Sequence, residues 1–316
     1  MSKCVRVAVA VIVRDHTHLL IARRHSHQDQ GGLWEFPGGK LEVYETGYQA
    51  LVRELEEEVG IHIRQARPLI QVRHDYANQQ VLLDVWQVLD FQGEAYGREG
   101  QEVRWVALDT LADYAFPAAN QAIVQAVRLP DQYLITPEPQ QGLSAWLAQL
   151  EQGLTQAGPQ PLVQIRAHSL KAQDYFKYAY AATELAHQYQ ARVILNATPD
   201  LLQQIPAQGV HLCAWQLAQY NKRPIEKNYF LSCAVHSPEQ LAQAQRLQAD
   251  WVCYSPILPT NSHPETTGLG WQALQNFCQQ AKVPVYALGG MRAEHLARVQ
   301  ALGAQGIAGI RCFFNN

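Results

Sequence analysis

The chain has 316 residues, of which 47% are hydrophobic and 17% charged, with a formal net charge of -3; this is ordinary for soluble globular protein and long enough for two domains, each with its own core. So small a net charge gives no general pull toward nucleic acid or anionic membrane, and any nucleotide must be held at a local site. Six cysteines without a CxxC pair or metal-type Cys/His spacing read as reduced thiols, and no segment reads as a secretory leader or reaches the ~20 apolar residues needed to span a bilayer, so the protein is expected in the cytoplasm.

From Val5 to Val13 an apolar strand pattern leads to a turn at Asp15-His16, and Leu19 to Ala22 reads as the returning strand. After Phe36-Pro37, Gly38 and Gly39 predict a loop where the backbone can approach an ion and phosphates closely. Glu45, Thr46 and Gly47 open an amphipathic stretch in which Ala50, Leu51, Leu55 and Val59 recur at helical spacing, and Gly60 is a good C-terminal stop. Further strands are expected at Leu69 to Asp75, Val81 to Leu89 and Val103 to Ala107, before a helix from Ala119 to Val127.

On the first helix Glu54, Glu57 and Glu58 stand at i, i+3 and i+4, which puts three carboxylates on one face. Like charges at that spacing repel unless a cation sits on them, and clustered carboxylate oxygens suit the hard ion Mg²⁺, with Mn²⁺ an alternative. A run of glutamates is usually a solvated helix face. Here the offsets decide otherwise: Gly39, five residues, Glu45, seven residues, Arg53-Glu54-Leu55, one residue, Glu57-Glu58, one residue, Gly60-Ile61 is the whole Nudix box pattern. In it Arg53 is expected to pair with Glu45 instead of touching substrate.

Beyond Arg128-Leu129-Pro130-Asp131, where Pro130 ends a helix, the pattern changes to short apolar strands alternating with helical segments. Strands are expected at Tyr133 to Thr136, Leu162 to Arg166, Arg192 to Asn196, Gly209 to Leu212, Phe230 to Val235, Trp251 to Ser255, Val283 to Leu288 and Gly306 to Ile310. Helix-compatible stretches follow most of them, among them Ala172 to Tyr189, Pro238 to Leu247 and Ala293 to Leu302. Eight such units argue for a (β/α)₈ barrel with ligands at the C-terminal strand ends, so Arg166, Asn196, His236, Ser255 to Thr260, Gly289-Gly290 and Arg311 are the residues to inspect.

Around the box, Ala22-Arg23-Arg24, Leu33 to Lys40, Gly97 to Gln101 and Phe116 to Asn120 make residues 1–128 resemble the MutT branch of the Nudix hydrolases, which clear the nucleotide pool of 8-oxo-dGTP and so limit mutation. The resemblance implies an α/β/α sandwich with a mixed sheet, and metal held by Glu54, Glu57 and Glu58 with the Gly38 backbone oxygen and Glu99. It also implies Asn120 on the purine edge, Phe36 against the base and Arg24 near the nucleotide, with Glu54, Glu57 or Glu99 as general base. Asn120 is alternatively a helix N-cap, a common use of Asn. Within Asp75 to Gln80 the resemblance supplies no equivalent of the base-contacting residues of relatives.

Residues 132–316, after a linker at 129–131, resemble the thiamine phosphate synthase and TenI superfamily of barrels through Val163 to Arg166, Ile194-Leu195-Asn196, Gly209 to Leu212, Ala234 to Ser237, Ser255 to Thr260 and Ala287 to Met291. Synthases of that family hold a substrate diphosphate through Mg²⁺ on two aspartates. Here Ala197 follows Asn196, Cys213 to Gln216 contains no acid, and His168 and His263 stand where lysines are expected, so thiamine phosphate synthesis is not expected. His236-Ser237 matches the proton-shuffling histidine of TenI-type thiazole tautomerases, while Gly289-Gly290 and the amides near Gly309-Ile310 could cradle the phosphate of a phosphorylated thiazole. Arg311 stands where the family usually has a small hydroxyl residue.

The expected function is Mg²⁺-dependent hydrolysis of an oxidised purine nucleoside triphosphate, 8-oxo-dGTP to 8-oxo-dGMP and pyrophosphate, with no direct nucleic-acid or membrane partner. The alternative is hydrolysis of another pyrophosphate, one related to thiamine, with the barrel a TenI-like tautomerase or a regulatory binding module.

Overall fold

The computed structural model describes residues 4–15, 17–27, 30–75, 80–260 and 267–314, so His16, the stretch 76–79 and His263 lie outside the described residues. Two compact units emerge, Met1–Arg128 with Cys278–Lys282, and Leu129–Phe277 with Val283–Asn316. No described helix is long and apolar enough to cross a membrane.

The apolar run at the start becomes the centre of the first unit. Strand β1 (Cys4–Arg14) has Ala8 to Ile12 almost fully buried on both faces. Because side chains alternate along a strand, Val9 and Val11 enter one core while Ala8, Ala10 and Ile12 enter the other. Around it lie β2 (His18–Arg23), β3 (Trp34–Glu35), β4 (Gly38–Lys40), helix α1 (Gly47–Val59), β5 (His62–Asp75), β6 (Gln80–Gln92), β7 (Val103–Ala107) and helix α2 (Gln121–Val127). The sheet order is β3-β2-β1-β6-β5, with β4 on β1 and β7 on β2; β1 and β6 run parallel and the other pairs antiparallel, so the sheet is mixed. Ala50, Leu51, Leu55 and Val59 of α1 cover one face, and Ala122, Ile123 and Ala126 of α2 belong to the core on the other.

Two expectations need correction. Gly38 and Gly39 are in a strand, not a loop: Val9 faces Gly38 and Ala8 faces Gly39, which pairs a stretch of the β1 edge that β2 leaves free. Strand β5 begins at His62, not Leu69, because its polar first half is held by pairing with β6 across three register shifts and not by an apolar face.

In the second unit eight parallel strands close on themselves: β8 (Gln132–Ile135), β9 (Leu162–Ile165), β10 (Arg192–Leu195), β11 (Gly209–Leu212), β12 (Phe230–Val235), β13 (Trp251–Tyr254), β14 (Val285–Ala287) and β15 (Gly306–Gly309). Helices α3 (Gly142–Gln156), α4 (Ala172–Gln188), α5 (Ala214–Leu217), α6 (Pro238–Arg246), α7 (Trp271–Cys278) and α8 (Leu296–Ala301) lie in the connections. Tyr133, Trp251 and Tyr286 fill the interior, with Tyr133 edge-on to Trp251 at 5.6 Å. The six cysteines are free; Cys233, Cys253 and Cys278 are buried, whereas Cys4 is exposed and Cys213 and Cys312 are partly covered.

Candidate functional site

Helix α1 is held at both ends by its own sequence. Thr46 Oγ1 accepts from the Gln49 amide at 3.3 Å while the Thr46 amide donates to Gln49 Oε1 at 2.9 Å, and Gly60 at φ 70° ends the helix in the left-handed conformation glycine adopts freely. With Gly47, Ala50, Leu51, Leu55 and Val59 buried, Glu54, Glu57 and Glu58 are left off the core face. Arg53 organises them. Its Nε and Nη2 donate to the two Glu45 oxygens at 3.0 Å each, Nη1 donates to Glu54 at 2.8 Å and Glu57 at 3.2 Å, and Nη2 also reaches the Lys40 carbonyl at 3.1 Å.

Glu58 turns the other way and accepts from the Gly38 amide at 3.0 Å. Burial pushes its carboxyl up to about 8 against that hydrogen bond, and the charges of Glu35, Glu54 and Glu99 push in the same direction as burial. Burial also raises Glu54, opposed by Arg53, and raises Glu35, opposed by Arg24. Glu54 lies over Gly39, where a side-chain Cβ would overlap its carboxylate. Glu99 is exposed on a loop that is clipped to α1: the Arg98 amide donates to the Glu58 carbonyl at 2.9 Å, and Gln101 donates from Nε2 to that carbonyl at 3.0 Å while its Oε1 accepts from the Glu99 amide.

Beside Glu58 opens a cavity of about 420 Å³, walled by Val5, Val7, Val9, Val81, Leu83 and Phe36 and edged by Arg24, Glu35, Gly38, Lys40 and Asn120. Phe36 is buried and stacked on Phe116 at 5.4 Å, so it lines the cavity as part of the core. Arg24 pairs with Glu35. Asn120 stands at the N-cap position of α2, but its side chain makes no capping bond to the helix. Glu35 and Gln101 were not singled out from the sequence; Glu35 could have been, since it adjoins Phe36 in the same run.

In the barrel a cavity of about 860 Å³ takes in Arg166, Gly289, Gly290, Arg292, Gly309, Ile310 and Arg311, while Asn196 and His236 are not among its lining. Arg166 Nη1 donates to Glu138 at 2.7 Å, and Thr136 Oγ1 donates to the Arg166 carbonyl and accepts from its amide, both at 2.8 Å. Asn196 donates to the His211 carbonyl at 3.1 Å. His236 is exposed, with Nδ1 2.8 Å from the Ser255 carbonyl, and Ser237 is the N-cap of α6. A Cβ on Gly289 would press on Pro256 and one on Gly290 on Leu258, so this pair is small to admit the neighbouring loop as well as to line the mouth.

A NUDIX domain model matches residues 8–126, and a model described as thiamine monophosphate synthase matches residues 132–313. The 8-oxo-dGTP diphosphatase of Escherichia coli (strain K12) is 34% identical over 126 residues, 40% of this chain and 98% of that protein. The CTP pyrophosphohydrolase of the same strain is 36% identical over 124 residues, 39% of this chain and 91% of that protein. On the barrel side, a thiamine-phosphate synthase of Fusobacterium nucleatum subsp. nucleatum is 27% identical over 150 residues, 47% of this chain and 73% of that protein. The chain belongs to both families.

Nudix hydrolases generally need a divalent metal. Among the described residues no three His, Cys, Asp or Glu side chains are gathered into a ready cage, since Arg53 and the Gly38 amide hold the carboxylate oxygens. The donor set nevertheless fits a hard cation: all the nearby titratable oxygens are carboxylates, and one of them is buried against three others of its own sign. A carboxyl whose folded pKa exceeds its unfolded value favours the fold when protonated, so metal-free protein should lose stability as pH rises from about 4.5 toward about 8. Thermal unfolding in EDTA at stepped pH is expected to show this decline. Glu58→Gln should flatten it, and an unchanged slope in that variant would place its cause elsewhere.

Proposed function

We propose that the Nudix unit is a Mg²⁺-dependent nucleoside triphosphate pyrophosphohydrolase that converts 8-oxo-dGTP to 8-oxo-dGMP and pyrophosphate. The observation that carries this reading is the adjacency of the carboxylate helix to an apolar slot edged by Asn120, whose side chain makes no capping bond. Glu54, Glu57 and Glu58, with the Gly38 carbonyl and Glu99, would hold the ion, which when bound neutralises charge growing on phosphate oxygens and acidifies water. Val5, Val7, Val9, Val81 and Leu83, neighbours on one face of the paired β1 and β6, give a flat base one apolar wall to lie against, and Phe36 lines the same cavity. Asn120, able to donate and accept at once, reads the base edge, while Arg24, steadied by Glu35, adds positive charge at the rim. One of Glu54, Glu57 and Glu99 takes the proton of the attacking water.

Asn120→Ala is expected to narrow the preference for 8-oxo-dGTP over dGTP by about 10- to 100-fold in kcat/KM, the range for losing a paired polar contact, with little change in the unfolding temperature. Steady-state rates on 8-oxo-dGTP, dGTP, CTP and thiamine diphosphate test the substrate. Equal rates on dGTP and 8-oxo-dGTP would sink the proposed sanitation role. The similarity to a CTP pyrophosphohydrolase supports a second reading, a pyrimidine triphosphate in the same slot, which CTP as the fastest substrate would establish.

For the barrel we propose a ligand-binding role without thiamine phosphate synthesis, supported by the absence of acids from Asn196-Ala197 and from Cys213 to Gln216. The TenI-like tautomerase alternative rests on His236. Turnover of a thiazole carboxylate phosphate that disappears in His236→Ala would favour it over binding alone.

A further inference from the structure

Of the carboxylates proposed to hold the ion, Glu54, Glu57 and Glu58 share one helix, whose own hydrogen bonds fix their spacing. Glu99 comes from a separate loop and is exposed. Something must set the distance between these two pieces of chain.

The last turn of α1 provides the anchor. An α-helix leaves its last four carbonyls without a partner inside the helix, here those of Glu56 to Val59. The segment 96–101 donates to three of them: the Tyr96 amide to Val59 at 3.1 Å, the Arg98 amide to Glu58 at 2.9 Å and Arg98 Nη1 to Glu56 at 2.6 Å. A Cβ on Gly60 would press on the Tyr96 ring and the Arg98 side chain, so the segment lies directly over the helix end. From Gly97 to Gly100 the chain turns, with the Gly100 amide donating to the Gly97 carbonyl at 3.2 Å and Arg98 and Glu99 at the centre. Gln101 then ties that turn to the helix. Its Oε1 accepts from the Glu99 amide and its Nε2 donates to the Glu58 carbonyl, both at 3.0 Å. Glu58 is thereby held at both ends, its carbonyl by this clip and its carboxylate by the Gly38 amide.

We propose that Gln101 is a positioning residue of the Nudix unit, setting the place of Glu99 relative to Glu58 without touching ion or substrate; this rests on the proposed role of those two glutamates as metal ligands. A primary amide can accept from one backbone group while donating to another, and it adds no charge beside the two carboxylates. Gln101 does not line the cavity assigned to the base, so its effect is expected on the ion and not on recognition of the nucleotide.

Titration calorimetry of the full chain with Mg²⁺, together with steady-state rates, tests it. Gln101→Ala is expected to weaken Mg²⁺ about 10- to 100-fold, the range for losing a group that orients a metal ligand, and to leave KM for the triphosphate unaltered at saturating Mg²⁺. Gln101→Met keeps the shape and loses both hydrogen bonds; it should show the same loss with an unaltered unfolding temperature. Adding Gln101→Ala to Glu99→Gln should cost nothing further, because an effect exerted through Glu99 vanishes once Glu99 no longer holds the ion. Wild-type Mg²⁺ affinity in Gln101→Met, or an equal further loss in the Glu99→Gln background, would each overturn the proposal while leaving the metal site standing. Wild-type affinity in Glu99→Gln alone would remove Glu99 from the metal site, and the proposal with it.

Discussion

Glu57→Gln is expected to reduce kcat for the preferred triphosphate roughly 10²-fold or more while leaving the unfolding temperature within error of wild type. The two halves of this expectation have separate origins. More than half of the Glu57 side chain is exposed, and among the described residues its one side-chain hydrogen bond is from Arg53 at 3.2 Å, a surface pair of the kind worth about 0 to 1 kcal/mol. Its position beside Glu54 and Glu58 on the helix is therefore expected to matter little for folding and, on the proposed function, much for a cation. Glutamine keeps the shape and removes the charge, so Mg²⁺ affinity measured by calorimetry should fall with kcat. A variant of undiminished rate would mean that the ion sits elsewhere.

Gly39→Ala should be nearly as damaging, by a different route. The added methyl would overlap the Glu54 carboxylate, the far end of a flexible side chain that can swing aside, so the fold should tolerate it. Glu54 would then leave its place beside Arg53, and a displacement on the order of 1 Å in such a site can cost about 10²-fold in rate. The neighbouring substitution separates the two kinds of failure. At Gly38, with φ 144°, a Cβ would meet the Ala8 carbonyl, backbone that cannot yield, so Gly38→Ala should lower the unfolding temperature. If Gly39→Ala instead unfolds early with its metal affinity intact, Gly39 serves the sheet and not the placement of Glu54.

Helix α1 was legible because one pattern carried three kinds of information: capping at Thr46, a core stripe through Ala50 and Leu55, and a charged face that no core could accept. The barrel strands were legible for a related reason. Each is a short run buried on both faces, and the expected bounds of all eight fall within two residues of those observed. Strands β3 and β4 were not, since two or three residues cannot show a period and what makes them strands is β1 and β2 alongside. Helix α3 was missed for want of a start signal: Gln141 makes no capping bond, and Gly142 opens the helix at a positive φ. That Asn120 lines the cavity without a side-chain bond to α2 is a matter of where its side chain ends up, which spacing does not show, and the grouping of Arg166 with Arg311 round one cavity depends on a closure that joins distant parts of the chain.

That closure bears on how the protein is made. The barrel is sealed where Ile307 comes to lie beside Gln132 and Gly309 beside Leu134. A ribosome has therefore synthesised nearly every residue of the second unit before its sheet can lose its two open edges. The first unit is in the opposite situation, its last strand ending at Ala107. During translation the strands of the first unit can all be paired while the barrel is still an open sheet with two unpaired edges, the interval in which the nascent chain is most exposed to aggregation.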